Sequence, residues 1–358
     1  MAKSLSIGNS DGGSNVTQSG AGDVVYLGDF QFAKNLSDSG RESLRFYFQE
    51  AFRHKAENTK RAYTADLKAY VRYCGSNHPG KDLFLADEVA MRDRITAYID
   101  DMVEIQGYKK ATIERRLNLL RLLLGVMKVP NPFNNKGYAD YFNDRISQPE
   151  LLVPQDQATP FKESDLLAVN NKGYVDTLGL RNLTLLNIAF DSLLRASELA
   201  RIEWSHIDES LKTVFVPYTK SNRGKDKDYR SLSATTLKYL KALKSVAPSG
   251  AKYVFNPMQN TERFDTDNIG TTNEKPLNYT SLLKGLLSAM AWGGLDSSLY
   301  SAHSTRVGAA LSMREKGISL EAIMEAGGWK SIEMVRRYLK AIEARYSGAS
   351  QLAEMSGR

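Results

Sequence analysis

From Arg41 onward, apolar side chains recur every three to four positions, the period of helices with one covered face. Within Thr59–Cys74 the apolar positions include Ala62, Leu67, Tyr70 and Cys74, while Arg61, Lys68 and Arg72 recur at helical spacing on another face. Thr112 stands where an N-cap would open a further helix, with Ile113, Leu117, Leu120 and Leu124 on one stripe and an end near Val129–Pro130. Residues 41–146 therefore read as a helical bundle. The stretch Ser147–Thr159 is polar and aperiodic and lies among Pro132, Pro149, Pro154 and Pro160, so residues 147–159 read as a linker. Beyond it, helices are predicted at Lys162–Asn170, Gly179–Leu199, Leu237–Val246, Thr280–Trp292, Ser304–Lys316 and Leu320–Gly327, and from Ser331 onward. Thr213–Tyr218 and Tyr229–Leu232 read as a hairpin joined by the charged loop Ser221–Asp228, with Pro217 marking an edge strand or a bulge. Met1–Gly28 is rich in Ser, Gly and Asn and cannot bury enough surface to fold, so residues 1–40 are expected to form a disordered tail. No internal repeat is visible.

Composition narrows the class. The chain carries one cysteine, Cys74, so no intramolecular disulfide can form. Its longest apolar stretches, such as Leu117–Met127, are too short to span a bilayer, and the first residues lack a secretory pattern, so a cytoplasmic protein without membrane attachment is expected. Net charge is +7, and residues 1–40 hold Lys3 and Lys34 against Asp11, Asp23, Asp29 and Asp38. The excess therefore sits on the folded body, where it favours polyanions, nucleic acid first among them.

Four features of the second half carry chemistry. The run Leu193-Leu194-Arg195-Ala196-Ser197-Glu198 puts an arginine behind apolar residues, partly buried and in need of an anion. Glu198, three residues on, satisfies that need as an ordinary ion pair equally well. Lys220 sits at the mouth of the hairpin and, alone, is a surface lysine. Ala302-His303-Ser304-Thr305-Arg306 opens a helix, so His303 and Arg306 share its N-terminus with free backbone N–H groups. Gly327-Gly328-Trp329 turns into a helix carrying Tyr338, one of 18 tyrosines.

Taken in order, Arg195, Lys220, His303-x-x-Arg306, Trp329 and Tyr338, the last standing nine positions after Trp329, resemble the tyrosine recombinase (phage integrase) family. Leu193–Ile202, His303–Ala310 and Ile323–Trp329 are most similar to its Cre-like phage and plasmid members; many other members carry histidine where Trp329 stands. The resemblance implies a mainly α, two-domain DNA clamp: a helical DNA-binding domain (41–146) and a mostly helical catalytic domain with a small antiparallel sheet (160–346). It implies that Arg195 and Arg306 clamp the scissile phosphate, Lys220 protonates the leaving 5′-oxygen, and His303 moves protons. Trp329 donates its indole N–H, Glu198 supports, and Tyr338 is the nucleophile. Lys225 and Lys227 share the loop with Lys220 and are alternatives for its role. Weaker similarity over Asn58–Met127 puts Lys60, Arg61 and Arg115 where related proteins enter the major groove, and Lys68, Arg72, Lys110 and Arg116 are expected to bind DNA with them on basic faces that line its channel.

The implied reaction cuts and rejoins DNA through a 3′-phosphotyrosyl link. Two arginines neutralise the charge developing on the phosphate, and neither a metal nor a cofactor is expected. The implied partner is double-stranded DNA with two inverted half-sites, on which four copies assemble. Residues 347–358 resemble a short helix passed to a neighbouring subunit, or one packing on its own domain; a nucleoid-associated protein is expected. Two rival readings share these residues: a type IB topoisomerase-like nicking-closing enzyme, and a catalytically silent DNA-binding protein.

Overall fold

The structure, a computed structural model, describes residues 37–148, 151, 158–217, 227–343, 352–353 and 355–357, and from 340 to 343 only the backbone. The chain divides into two compact units, Met1–Gln155 and Asp156–Arg358.

The first unit is all helical. Helix α1 (Asp38–Phe46) continues into a π turn, Tyr47–Phe52, followed by α2 (Glu57–Asn77), α3 (Glu88–Asp100) with its own π extension Asp101–Ile105, α4 (Lys110–Met127) and α5 (Lys136–Arg145). Helix α1 starts three residues ahead of Arg41, capped by Ser37, and Gly40 is buried where a Cβ would lie 2.5 Å from the Met127 carbonyl oxygen. That close approach lets α1 sit on the end of α4. Thr112 does not cap α4. The helix begins at Lys110, and the Thr112 N–H already bonds to the Lys109 carbonyl at 2.9 Å. A hydroxyl near a helix start competes with the backbone only when the turn leaves a free N–H, and here the turn is closed. The core joins Leu67, Tyr70 and Cys74 of α2 to Ile95 and Tyr98 of α3 and to Ile113, Leu117, Leu120 and Leu124 of α4. Tyr98 packs edge-on against Tyr70 and tilted against Tyr73, with ring centroids 5.1 and 4.7 Å away.

The second unit contains α6 (Glu163–Lys172), α7 (Thr177–Ser192), α8 (Ala196–Leu199), strands β1 (Ile207–Asp208), β2 (Thr213–Val216) and β3 (Asp228–Ser231), then α9 (Ala234–Val246), α10 (Tyr279–Trp292), α11 (Ser304–Glu315), α12 (Leu320–Gly327) and α13 (Ile332–Glu343). Every side chain from Leu180 to Phe190 of α7 is buried, and α9, α10 and α11 pack around it. The single helix expected over Gly179–Leu199 is broken. Leu193 adopts a left-handed backbone (φ 50°), which ends α7, and Arg195 caps the short α8. A left-handed leucine costs about 1–2 kcal/mol, and periodicity cannot register it because the apolar stripe runs on unbroken through Leu199.

The sheet is antiparallel in the order β1-β2-β3. Strand β2 is therefore central, and Pro217 is neither in an edge strand nor in a bulge. The ladder ends at the Val216–Asp228 pair, one residue before a proline that has no N–H to donate. In α11, a Cβ at Gly308 would lie 1.7 Å from the Phe161 carbonyl oxygen, so only glycine lets the helix rest on the segment entering α6. Among the described residues no helix is long and apolar enough to cross a membrane.

Candidate active site

The break at Leu193 organises the candidate site. It turns the Leu193 carbonyl toward Arg306, whose Nη1 donates to it, while Nη2 donates to the Gly327 carbonyl at 2.8 Å. Arg306 is 2% exposed, and its guanidinium lies 4.1 Å from the centre of the Trp329 ring. Among the described residues no carboxylate forms an ion pair with it. Burial above all, then the charge of Arg195, lowers its pKa to about 10, so it remains a cation at neutral pH. A buried cation held only by carbonyl dipoles and a π face is a site built for an anion.

Arg195 and Glu198 do more than share a helix face. The Glu198 carboxylate accepts from the Arg195 backbone N–H at 2.9 Å and from its Nη1 at 2.9 Å, closing the first turn of α8. Glu198 is buried, whereas the Arg195 side chain keeps 25% of its surface exposed. The pairing holds the guanidinium in place and leaves part of its fork open.

His303 stands at the N-cap of α11 and Tyr338 in the middle of α13, and the Tyr338 hydroxyl is 3.5 Å from His303 Nε2. Helix α13 buries Val335 and Leu339, so Tyr338 lies on the flank of that apolar stripe and reaches the pocket. Trp329 packs against Tyr338 with centroids 5.7 Å apart. Burial, then Arg306 and Arg195, lowers the His303 pKa below the usual ~6.5. The ring is thus neutral at pH 7 and, protonated on Nδ1, offers Nε2 as an acceptor to the Tyr338 hydroxyl. Arg195, Glu198, His303, Arg306, Trp329 and Tyr338 come from four separate segments and lie together in one cluster. Lys220 and Lys225 lie outside the described residues.

Sequence reasoning passed over Arg230, and it read the two glycines before Trp329 only as a turn. Arg230 of β3 is buried, and it grips Asp228 through both Nη atoms. Its Nη2 would lie 2.1 Å from a Cβ on Gly328, which is left-handed (φ 59°). A Cβ on Gly327 would lie 1.9 Å from the Trp329 ring. The legible signal was Asp-x-Arg on a strand, which puts the two charges on one face.

In the first unit the basic residues do not form one set. Arg61, Lys68 and Arg72 are exposed on α2 and make no ion pair among the described residues. Lys60 is paired with Glu57 at 2.7 Å, and Lys110 lies 3.8 Å from Glu114 and donates to Ser147 at 2.9 Å. Arg115 and Arg116 both turn to Asp66. Among the described residues no group of three or more His, Cys, Asp or Glu is placed to hold a metal ion.

The phage integrase family matches residues 158–345, more than half of the chain. The protein belongs to the phage integrase family. It is 25% identical to the recombinase Cre of Escherichia phage P1 over 342 residues, covering 90% of this chain and 92% of that relative. An integrase/recombinase XerD homolog of Selenomonas ruminantium is 22% identical over 87% of this chain and 90% of its own. Among solved structures, the Tn1549 transposon integrase in complex with circular intermediate DNA superposes with a TM-score of 0.58 at 14% identity, covering 89% of this chain and 98% of that one. The XerH recombinase bound to palindromic difH superposes with a TM-score of 0.56 at 18% identity, covering 82% and 80%. These two share the mostly helical fold with its small sheet.

Proposed function

We propose that this phage integrase family member is a site-specific tyrosine recombinase that cleaves and rejoins double-stranded DNA through a 3′-phosphotyrosyl intermediate, with Tyr338 as nucleophile. The observation that carries the assignment of roles is the buried Arg306, a cation with no ion pair among the described residues, clustered through Trp329 with the Tyr338–His303 contact. A scissile phosphate bound there sits between Arg306 and Arg195, whose fixed charges offset the negative charge that grows on its non-bridging oxygens. Tyr338 Oη attacks phosphorus and passes its proton to His303 Nε2; the contact, long in the free protein, shortens when the phosphate is bound. The P–O5′ bond breaks, and the leaving 5′-oxygen takes a proton from a general acid, a role the resemblance gives to Lys220. The Tyr–phosphate ester keeps the energy of the broken bond, so attack by the 5′-hydroxyl of a partner strand reverses the step with a new end.

The test is Tyr338→Phe, which removes only the nucleophilic oxygen. The variant is expected to bind DNA as the wild type does and to give no covalent complex on a denaturing gel. A covalent complex formed by this variant would remove Tyr338 from the mechanism.

Strand exchange needs four cuts, and the arrangement that supplies them is four copies on two sites, each site an inverted pair of half-sites. We assign the contact between copies to the C-terminal segment. Leu352 and Met355, three residues apart, are 58% and 87% exposed on their own chain, which leaves an apolar face for a neighbour to cover.

A further inference from the structure

The first unit contains one buried acid in a place where an apolar residue would pack. Asp66 of α2 has a side chain 1% exposed and faces α4, between Leu67 and the half-buried Tyr63. Arg115 Nη2 is 2.9 Å from its Oδ1, and Arg116 Nε is 3.6 Å from the same oxygen. Neither carboxylate oxygen has an aligned hydrogen-bond donor among the described residues. Burial raises the Asp66 pKa, and the two arginines only partly oppose that rise. As a cross-link between α2 and α4 this is a poor device, since a buried carboxylate generally stabilises less than an apolar residue of similar size.

The two arginines differ. Arg116 is 14% exposed in its side chain and lies against the Tyr108 ring, 4.3 Å from its centre, so it is committed to the interior. The Arg115 side chain is 44% exposed: one nitrogen rests on the carboxylate, and the remaining edge of the fork faces solvent. An acid 2.9 Å away offsets the charge an exposed arginine offers a phosphate; beside Glu198, Arg195 has a second cation, Arg306, to make up for it, whereas Arg116, next to Arg115, is turned inward. Residues suited to phosphate, Arg61, Lys68 and Arg72, project within ~40° of one another around α2 and about 120–160° from Asp66. A base edge carries partial charges only, so the acid opposes it far less, and the ion pair that keeps the Arg115 guanidinium at this point of the surface is then useful. Guanine presents O6 and N7 as two acceptors in the major groove, at a spacing matched to two N–H groups of one arginine edge.

We infer that Asp66 is a specificity-determining residue that presents Arg115 to a guanine of the half-site, while Arg61, Lys68 and Arg72 bind the backbone without regard to sequence. This rests on the reading of the protein as a site-specific DNA recombinase.

The test uses the full chain and a pool of random double-stranded oligonucleotides. Wild type, Asp66→Val, Asp66→Asn, Arg115→Lys and Arg61→Ala are each taken through rounds of selection, and the bound sequences are compared. Wild type is expected to enrich a site with a guanine that both Asp66 variants and Arg115→Lys no longer demand, the rest of the site being kept. Replacing that guanine by 7-deazaguanine removes N7 and should weaken wild-type binding roughly 5- to 150-fold, and binding by Asp66→Val hardly at all. Arg61→Ala should keep the guanine and reduce the slope of log affinity against log salt by about one. Asp66→Asn keeps the shape of the side chain, and thermal melts of both Asp66 variants show whether the unit is folded. An unchanged guanine preference and an unchanged 7-deazaguanine penalty in folded Asp66→Val and Asp66→Asn would overturn this inference alone. If wild type enriched no sequence, the site-specific reading itself would fall.

Discussion

Replacing Gly327 by alanine adds one methyl group at the point where the pocket is tightest. The new Cβ would stand 1.9, 2.2 and 2.6 Å from Cζ3, Cε3 and Cη2 of Trp329. Ordinary carbon–carbon contact lies near ~3.5 Å, so the indole must retreat by about 1.6 Å. It cannot do so alone: Arg306 lies against its face, Tyr338 packs tilted against it, and the Gly327 carbonyl is itself a partner of Arg306. A displacement of about 1 Å in a reacting constellation costs on the order of 10²-fold in rate. The effect on stability is smaller. Alanine is favoured over glycine within a helix by about 1 kcal/mol, which offsets part of the roughly 1–3 kcal/mol for overpacking. The net loss, about 0–2 kcal/mol, lowers Tm by at most ~8 °C in a unit of this size. The assay is the rate of covalent complex formation on a nicked substrate that traps the intermediate, with gel shifts for binding. Gly327→Ala should cut that rate about a hundredfold while binding is kept. In a Trp329→His background the same glycine change should cost little, because imidazole lacks the three clashing atoms and the two substitutions are then not additive. A rate within about threefold of wild type for Gly327→Ala alone would refute this account of the pocket.

Cleavage should keep its full rate down to a pH below the usual ~6.5 of histidine, because burial and the two arginines hold the His303 pKa down. Protonation of His303 also removes stability, which is fully present above ~6.5 and lost as pH falls through the lower folded value; an acid limb centred above 6.5 in the cleavage profile, and absent from His303→Gln, would contradict the direction of the shift. Truncation after Tyr346 should leave binding to one half-site nearly intact and abolish cooperative binding to the second, as read by gel shifts on single and paired half-sites; unchanged cooperativity would place the contact between copies elsewhere.

Periodicity alone determined the helical class, the placement of most helices and the hairpin, because one covered face imposes a repeat of three to four residues wherever the partner lies. The order of Arg195, His303, Arg306, Trp329 and Tyr338 was likewise legible, because residue types and spacings are carried by the sequence itself and sufficed for the family resemblance. What the sequence left undecided were events of single residues that leave the apolar pattern intact. Leu193 reads as one more helical leucine, yet its left-handed backbone ends α7 and hands a carbonyl to Arg306. Pro217 reads as a strand residue, but the ladder stops before it, and the third strand, Ile207–Asp208, is too short to show alternation. Arg115, Arg116 and Lys68 look alike as letters. Only packing decided that one faces a buried acid from the surface, one is enclosed against Tyr108, and one is free in water. The reason is common to all of these: charge and hydropathy are properties of a residue, whereas the partner that satisfies a buried charge or a freed carbonyl comes from a distant segment, and only the fold brings it there.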